Sequence, residues 1–317
     1  MNQKFYIGYS KNEKIVKKSS SGGMFYSIAN EILTKETKAK VYGCALDNKL
    51  DAKHIGISNI KDIAPILGSK YINSNLSGIY NQIIDDLQND YTILFCGTPC
   101  QIHVLNTIIS KKKINRDKLY TIDFVCHGVC KTEFFKDYIK YLEKKYKSVA
   151  TNCNFRTKNK VGKLQDMSVT FKNGKKYIAS TTKLDWFYSA YLKNLSIREE
   201  CFNCKFTNFD RNSDITLADA WGNFMEGCWS PSLIIINTKK GQELFEKTKT
   251  KIKYKKIEQQ SIHNPQLYQN LVKPEQYDEF NKIYKEKGFY EAQKFIGNNC
   301  LTGKIKTLCA NILYKIK

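Results

Sequence analysis

The stretch Thr92-Ile93-Leu94-Phe95-Cys96-Gly97-Thr98-Pro99-Cys100-Gln101-Ile102 constrains this chain more than any other. Thr92 to Phe95 is β-branched and apolar, the pattern of a buried strand. Gly97 lets the backbone turn tightly. Pro99 suits the first turn of a helix, where its missing N–H costs nothing. Ile102, Leu105, Ile108 and Ile109 then recur at helical spacing. A strand that enters a helix through so short a turn exposes backbone N–H groups and a helix N-terminus, an environment that favours anions and thiolates. Two cysteines flank the turn, Cys96 before it and Cys100 within the helix start.

The same device follows a second time. Leu119 to Val125 reads as a strand that ends in Cys126-His127-Gly128, and Phe134, Tyr138, Tyr141 and Leu142 form one face of the next helix. Loops at strand C-termini are where α/β sheets bind ligands. His127 is a candidate general acid there, with an ordinary hydrogen-bonded loop histidine as the plain alternative. Further on, Cys201-x-x-Cys204 can place two sulfurs on one metal or cluster edge. One pair cannot fill four positions. Cys100 and Cys126, at the two strand ends, could supply the rest, giving the thiolate set of a [4Fe–4S] cluster. A four-cysteine zinc site and a thiol-redox pair are the alternatives, and spacing alone leaves the choice open.

Other turns carry a different chemistry. Ser19-Ser20-Ser21-Gly22-Gly23 precedes a helix whose face is Phe25, Ile28, Ala29, Ile32 and Leu33. Serines cap helices and glycines permit close approach, so this is either a plain capped turn or a phosphate cradle. Gly68-Ser69-Lys70-Tyr71 offers backbone donors, a hydroxyl, an ammonium and a ring, which suits a pyrophosphate or a flavin. Val41–Leu46 and His54–Ile57 read as strands, with Cys44 a small buried hydrophobe. Asn173-Gly174 marks a hairpin. Trp186, Phe187, Tyr188 and Tyr191 read as a helix packed in the core. Asp214 to Asp219 reads as a strand that carries two acids into Trp221-Gly222. Residues 4–18 read as one or two strands with charged turns. From about Lys251 the chain reads as lysine-rich helix, and Leu301–Lys317 as a basic amphipathic tail that packs on the domain or lies on a membrane surface.

At 317 residues the chain is long enough to bury a core, and 42% apolar residues argue for a folded protein. No apolar run approaches the ~20 residues of a membrane helix. The start, Met1 to Tyr6, has no signal-peptide apolar region, so a cytoplasmic protein is expected. In a reducing compartment its eleven cysteines are better read as ligands and buried thiols than as disulfides. The net charge of +22 reflects either a lysine-solvated surface or attraction to an acidic partner, an anionic cofactor or a membrane face. No helix-turn-helix, zinc-finger or RNA-recognition signature is present, so no nucleic-acid partner is expected.

Taken in order, Ser20-Ser21-Gly22-Gly23, Gly68-Ser69-Lys70-Tyr71, Gly97-Thr98-Pro99-Cys100-Gln101, Cys126-His127-Gly128-Val129, Phe155-Arg156-Thr157-Lys158, Cys201-x-x-Cys204 and Asp214-Ile215-Thr216-Leu217-x-Asp219-x-Trp221-Gly222 resemble the coenzyme F420 hydrogenase/dehydrogenase beta-subunit family. The resemblance spans roughly residues 15–240. It implies an iron–sulfur flavoprotein that binds FAD and a [4Fe–4S] cluster and exchanges electrons with a deazaflavin or another organic substrate. Some such proteins are associated with surface polysaccharide biosynthesis. The chain departs from its relatives in lacking a C-x-x-C-x-x-C run, so electrons would come from a separate, ferredoxin-like donor. Cys130 stands where proline is usual, Ala218 and Ala220 where Gly and Phe are usual, and Lys163 where an aromatic is common. These departures spare the cluster set and fall on the substrate pocket.

The expectation is therefore an α/β (α+β) protein: a mixed β-sheet core, covering helices and a cysteine-rich cluster-binding loop. Residues 1–240 would form the cofactor-binding domain and 241–317 a lysine-rich helical extension. The resemblance assigns the cluster to Cys100, Cys126, Cys201 and Cys204. It assigns FAD to Ser20, Ser21, Gly22, Gly23, Gly68, Ser69, Lys70, Tyr71, Gly97, Thr98, Arg156, Lys158 and Asp219, with His127 as the catalytic candidate. A zinc-stapled binding protein and a polysaccharide-assembly transferase are the rival readings. The basic tail allows peripheral contact with the inner face of a membrane.

Overall fold

The computed structural model describes residues 2–158, 164–179 and 185–296. Lys163 and the expected tail Leu301–Lys317 lie outside the described residues.

The chain opens with β1 (Lys4–Ser10), α1 (Glu13–Lys18) and α2 (Met24–Lys35). Residues 4–18 thus contain one strand and a short helix, not two strands. The side chain of Asn12 accepts from the N–H groups of Lys14 and Ile15 and starts α1, which buries no residue of its own. An amphipathic pattern could not have announced it. Then come β2 (Ala39–Leu46), β3 (Ala52–Ile57), α3 (Ile79–Gln88), β4 (Thr92–Cys96), α4 (Pro99–Lys111), β5 (Leu119–Phe124) and α5 (Thr132–Tyr146). A three-stranded antiparallel sheet follows, β6 (Ala150–Lys158), β7 (Leu164–Phe171) and β8 (Lys176–Ile178), with the expected turn at Asn173-Gly174. The rest is α6 (Trp186–Leu192), β9 (Ile215–Asp219), β10 (Ser232–Ile236), α7 (Lys239–Thr248), β11 (Ile252–Lys256) and α8 (Tyr277–Phe295).

The main sheet has eight strands in the order β11-β1-β10-β9-β5-β4-β2-β3. β2, β4, β5 and β9 run parallel to one another. The remaining pairings are antiparallel. The sheet is mixed, and its parallel core sends four strand C-termini to one edge. Residues 252–256, expected within a helical extension, form β11 and extend the sheet beside β1.

β4 shows how the layers are fixed. Its side chains alternate across the sheet. Leu94 packs with Ile28, Ile32 and Val41 under α2, while Ile93 and Phe95 pack with Ile83, Ile102 and Leu105 under α3 and α4. Burying each such side chain contributes about 1.5–3 kcal/mol. The smaller sheet packs with α5, α6 and α8 in a separate core that includes Phe135, Phe155, Phe187, Tyr191 and Phe280. The aromatic helix 186–192 is core, as its sequence indicates.

Candidate cluster site and cofactor-binding turns

The parallel core determines where the cysteines meet. β4 hands the chain through Gly97 and Thr98 into α4, whose second residue is Cys100. The Thr98 N–H donates to Oε1 of Gln101 at 2.9 Å, which closes the helix start. Cys100 is exposed, with its Sγ 3.0 Å from Oγ1 of Thr98. β5 hands the chain to Cys126. Gly128 follows at φ +81°, a left-handed conformation that suits glycine. The Gly128 N–H donates to the Cys126 sulfur, and the Val129 N–H to that of Cys201. Cys201 and Cys204 lie on a short 3-10 turn and at its cap.

Cys126 and Cys201 lie within electrostatic reach of Cys100 and Cys204. Burial pushes the Cys126 thiol up to about 12, and charge on Cys201, Cys100 and Cys204 pushes the same way. Cys201 is raised by burial, with Cys100 and Cys204 adding to it. Among the described residues, no group of three or more Cys, His, Asp or Glu is arranged to hold a single metal ion. Cys96 keeps other company. Burial raises it to about 12, with Asp123 and Cys44 adding and Lys70 opposing.

His127 is fixed rather than free. Its Nε2 lies 3.1 Å from Oδ1 of Asn194, its ring packs at 5.4 Å from that of Tyr191, and Gln266 is a second partner. Burial holds its imidazole below the usual value.

The serine and glycine turns also meet. Ser20 Oγ accepts from Ser69 N–H and Oγ, each at 3.0 Å. Ser21 Oγ lies 2.8 Å from Ser232 Oγ. Gly22 sits against the backbone: a Cβ there would lie 2.4 Å from the carbonyl oxygen of Gly8. Gly23 caps α2 at φ +79°, and a Cβ on it would meet Ile15 and Ser19. Gly68, at φ +78°, faces open space. Lys70 turns its ammonium onto the carbonyls of Pro65, Leu67 and Gly68 at 2.7–3.2 Å, and burial pulls it down to about 8. Tyr71 hydrogen-bonds to Ser69 and Arg156 and packs on Phe155, Tyr188 and Tyr191. Arg156 pairs with Asp219 at 2.8 Å. Lys158 donates to the carbonyls of Val16 and Ser21 at 2.6 and 2.7 Å. Among the sequence candidates, Ser20, Ser21, Ser69, Tyr71, Arg156, Lys158 and Asp219 form one connected surface. Gly97 and Thr98 stand apart from it at the head of α4.

No sequence signal announces the partners that hold these groups. Asn194 and Gln266, which pin His127, sit in ordinary polar stretches. The ion pair between Arg211 and Asp123, 2.9 Å long and closed to solvent, links positions 88 apart in the chain. Only the fold brings them together.

Cys100 and Cys126 follow the C-terminal ends of β4 and β5 in a mixed α/β sheet, and the turn with Cys201 and Cys204 lies within their electrostatic reach. Residues 90–260 match the family described as the C terminus of the coenzyme F420 hydrogenase/dehydrogenase beta subunit, and the chain belongs to that family. Among solved structures it is similar to a chain of the F420-reducing [NiFe] hydrogenase complex from Methanosarcina barkeri, at 18% identity. The similarity covers 92% of this chain and 90% of that one, with a TM-score of 0.55, a likeness of fold. No curated protein sequence matches the chain. Among the described residues no helix is long and apolar enough to cross a membrane.

Proposed function

We propose that this chain is an iron–sulfur flavoprotein that passes electrons between a separate, ferredoxin-like carrier and an organic substrate, acting in the cytoplasm. One observation carries the reading: Cys100, Cys126, Cys201 and Cys204, from three separate segments, come close enough that charge on the other three raises the Cys126 thiol and charge on Cys100 and Cys204 raises that of Cys201. Membership of a hydrogenase/dehydrogenase beta-subunit family supports an iron–sulfur cluster over a zinc staple at these cysteines.

The chain's own groups suit both cofactors. Gly128 and Val129 donate N–H groups to two of the sulfurs, which favours the thiolate form a metal needs. Ser20, Ser21, Ser69, Arg156 and Lys158 bring hydroxyls and cations to one surface, as a phosphate-bearing cofactor requires. Asp219 orients Arg156, and Tyr71 lies between this surface and Tyr191, whose hydroxyl donates to the Gly128 carbonyl. Gly22 and Gly23 shape the serine turn, Gly68 and Lys70 its neighbour, and Gly97 and Thr98 set the start of α4. When bound, the cluster carries single electrons and the flavin converts pairs of them into hydride equivalents. His127, half-buried beside the cysteines with its imidazole held below the usual value, is the candidate for proton exchange there.

The deciding experiment is anaerobic purification followed by iron, sulfide, zinc and flavin analysis with an absorption spectrum. Brown protein with iron, sulfide and FAD is expected. Colourless protein with zinc in place of iron would favour the binding-protein reading.

A further inference from the structure

We infer that Arg211 is the positioning residue of the four-cysteine site, fixing the Cys201–Cys204 segment against the strand that leads into Cys126. The inference rests on the cluster reading above. The Arg211 guanidinium makes four hydrogen bonds in two directions. Nη1 donates to the carbonyls of Phe206 at 2.7 Å and Asn208 at 3.4 Å, just beyond Cys204. Nη2 donates to Oδ2 of Asp123 at 2.9 Å and to the Phe124 carbonyl at 3.2 Å, at the end of β5.

The third cysteine-bearing segment joins the same hub. The ring of His103, one helical turn after Cys100, lies 5.3 Å from that of Phe206. Asn106 of α4 donates to the carbonyl of Asn212 at 2.8 Å. The loop 205–212 therefore touches α4, β5 and the Cys-x-x-Cys turn, and Arg211 is its charged centre.

Chemistry explains the choice of side chain. A planar guanidinium can donate along several fixed directions at once, which an ammonium on a flexible stem cannot do. Both side chains are closed to solvent, at 1% and 0% exposure. A buried ion pair is a poor source of stability, since apolar residues of similar volume often serve as well. It is an effective way to fix a geometry. Asp123 also cancels the charge of Arg211, so the hub can hold the segments without adding net charge beside the thiolates.

The test uses the full chain, reconstituted anaerobically with iron and sulfide, in two variants. Arg211→Lys keeps the charge and loses the fork. The double variant Asp123→Leu/Arg211→Met keeps the apolar volume and loses the hydrogen bonds. Three quantities are read: the rate at which a chelator strips iron, the electron paramagnetic resonance spectrum of the reduced protein, and the melting temperature of the iron-free chain. Both variants are expected to lose iron on the order of tenfold faster with an altered spectrum. The iron-free double variant should melt close to the parent. Parental iron release and spectrum in both variants overturn the inference. So does an iron loss confined to a double variant that melts far below the parent, with Arg211→Lys unaffected, since that outcome makes the residue structural only. A parent chain that takes up no iron overturns the cluster reading itself.

Discussion

Ser20 and Ser69 are joined twice, by the Ser69 N–H and by the Ser69 hydroxyl, both donating to the Ser20 Oγ at 3.0 Å. Two turns far apart in sequence become one surface, with Lys158 holding its other side through the Ser21 carbonyl. Ser20→Ala leaves both Ser69 donors without that acceptor. At about 0.5–1.5 kcal/mol net per hydrogen bond, the two bonds hold the turns together by about 1–3 kcal/mol, and FAD affinity should fall by up to that amount. Flavin titration measures this, and iron content should not change. Equal FAD affinity in parent and variant would detach these turns from the cofactor.

Cys96 and Cys100 flank one turn but face different neighbours. Cys100 lies in the field of Cys126 and Cys201, whereas Cys96 lies with Cys44, Asp123 and Lys70. Cys100→Ser should therefore lose bound iron, because a hydroxyl is a poor substitute for thiolate. Cys96→Ser should keep its iron, with only a modest loss of stability. Iron and sulfide assays on the two proteins decide, and the opposite pattern would exchange the assignments.

What the sequence disclosed and what it withheld follow from the range of the interactions involved. The strand–turn–helix at Thr92–Ile102 was legible because every signal in it is local: β-branching, a glycine, a proline and helical spacing. The proposed four-cysteine set rests on strand ends and the Cys-x-x-Cys pair, and on the family resemblance for the choice of Cys100 over Cys96. β11 was hidden because it is an edge strand with one buried residue, Ile252, followed by exposed Lys253, Tyr254, Lys255 and Lys256. Its conformation is set by pairing with β1, almost the whole chain away. Lys70 looked like a free cation, yet its ammonium is taken by three carbonyls of its own loop. Arg211 and Asp123 carry no motif, because their relation exists only after the sheet has formed.

His54 makes an acid-sensitive element of the sheet edge. Its Nε2 is 3.0 Å from the Cys96 carbonyl, so that nitrogen carries the proton and Nδ1 accepts from Ser74 at 2.6 Å. Burial pulls the imidazole from 6.5 down to about 4. Between those values the unfolded chain takes up a proton that the folded chain refuses. Stability from this group is complete above pH 6.5 and is lost as pH falls toward 4, by about 3 kcal/mol in all. His54→Gln removes the titrating ring, and also its stacking on Phe95 at 5.3 Å. In urea unfolding of the iron-free chain, the variant should be less stable at pH 7. The gap to the parent should narrow by about 3 kcal/mol between pH 6.5 and pH 4. A gap that stays constant across that range would mean His54 does not control the acid limb.

Gly128 occupies a crowded position in the cysteine site. It adopts φ +81°, gives its N–H to the Cys126 sulfur and receives the Tyr191 hydroxyl on its carbonyl at 3.1 Å. A Cβ there would lie 3.0 Å from Leu271 Cδ1, 3.1 Å from Ile197 Cγ2 and 3.2 Å from Cys201 Cβ. Gly128→Ala therefore combines two penalties. The left-handed backbone costs about 1–2 kcal/mol for a residue with a Cβ. Crowding in a packed site adds about 1–3 kcal/mol. Relief of that crowding must move Cys201, a cluster ligand in the proposed reading. Gly68→Ala is the internal control: its φ is +78°, but nothing lies within 4 Å of a new Cβ. Gly68→Ala should lose only the backbone term and keep its iron. Gly128→Ala should be less stable than Gly68→Ala by about 1–3 kcal/mol in urea unfolding and should lose iron more readily. Equal stability and equal iron content in the two variants would show that the contacts around Gly128 yield without moving Cys201.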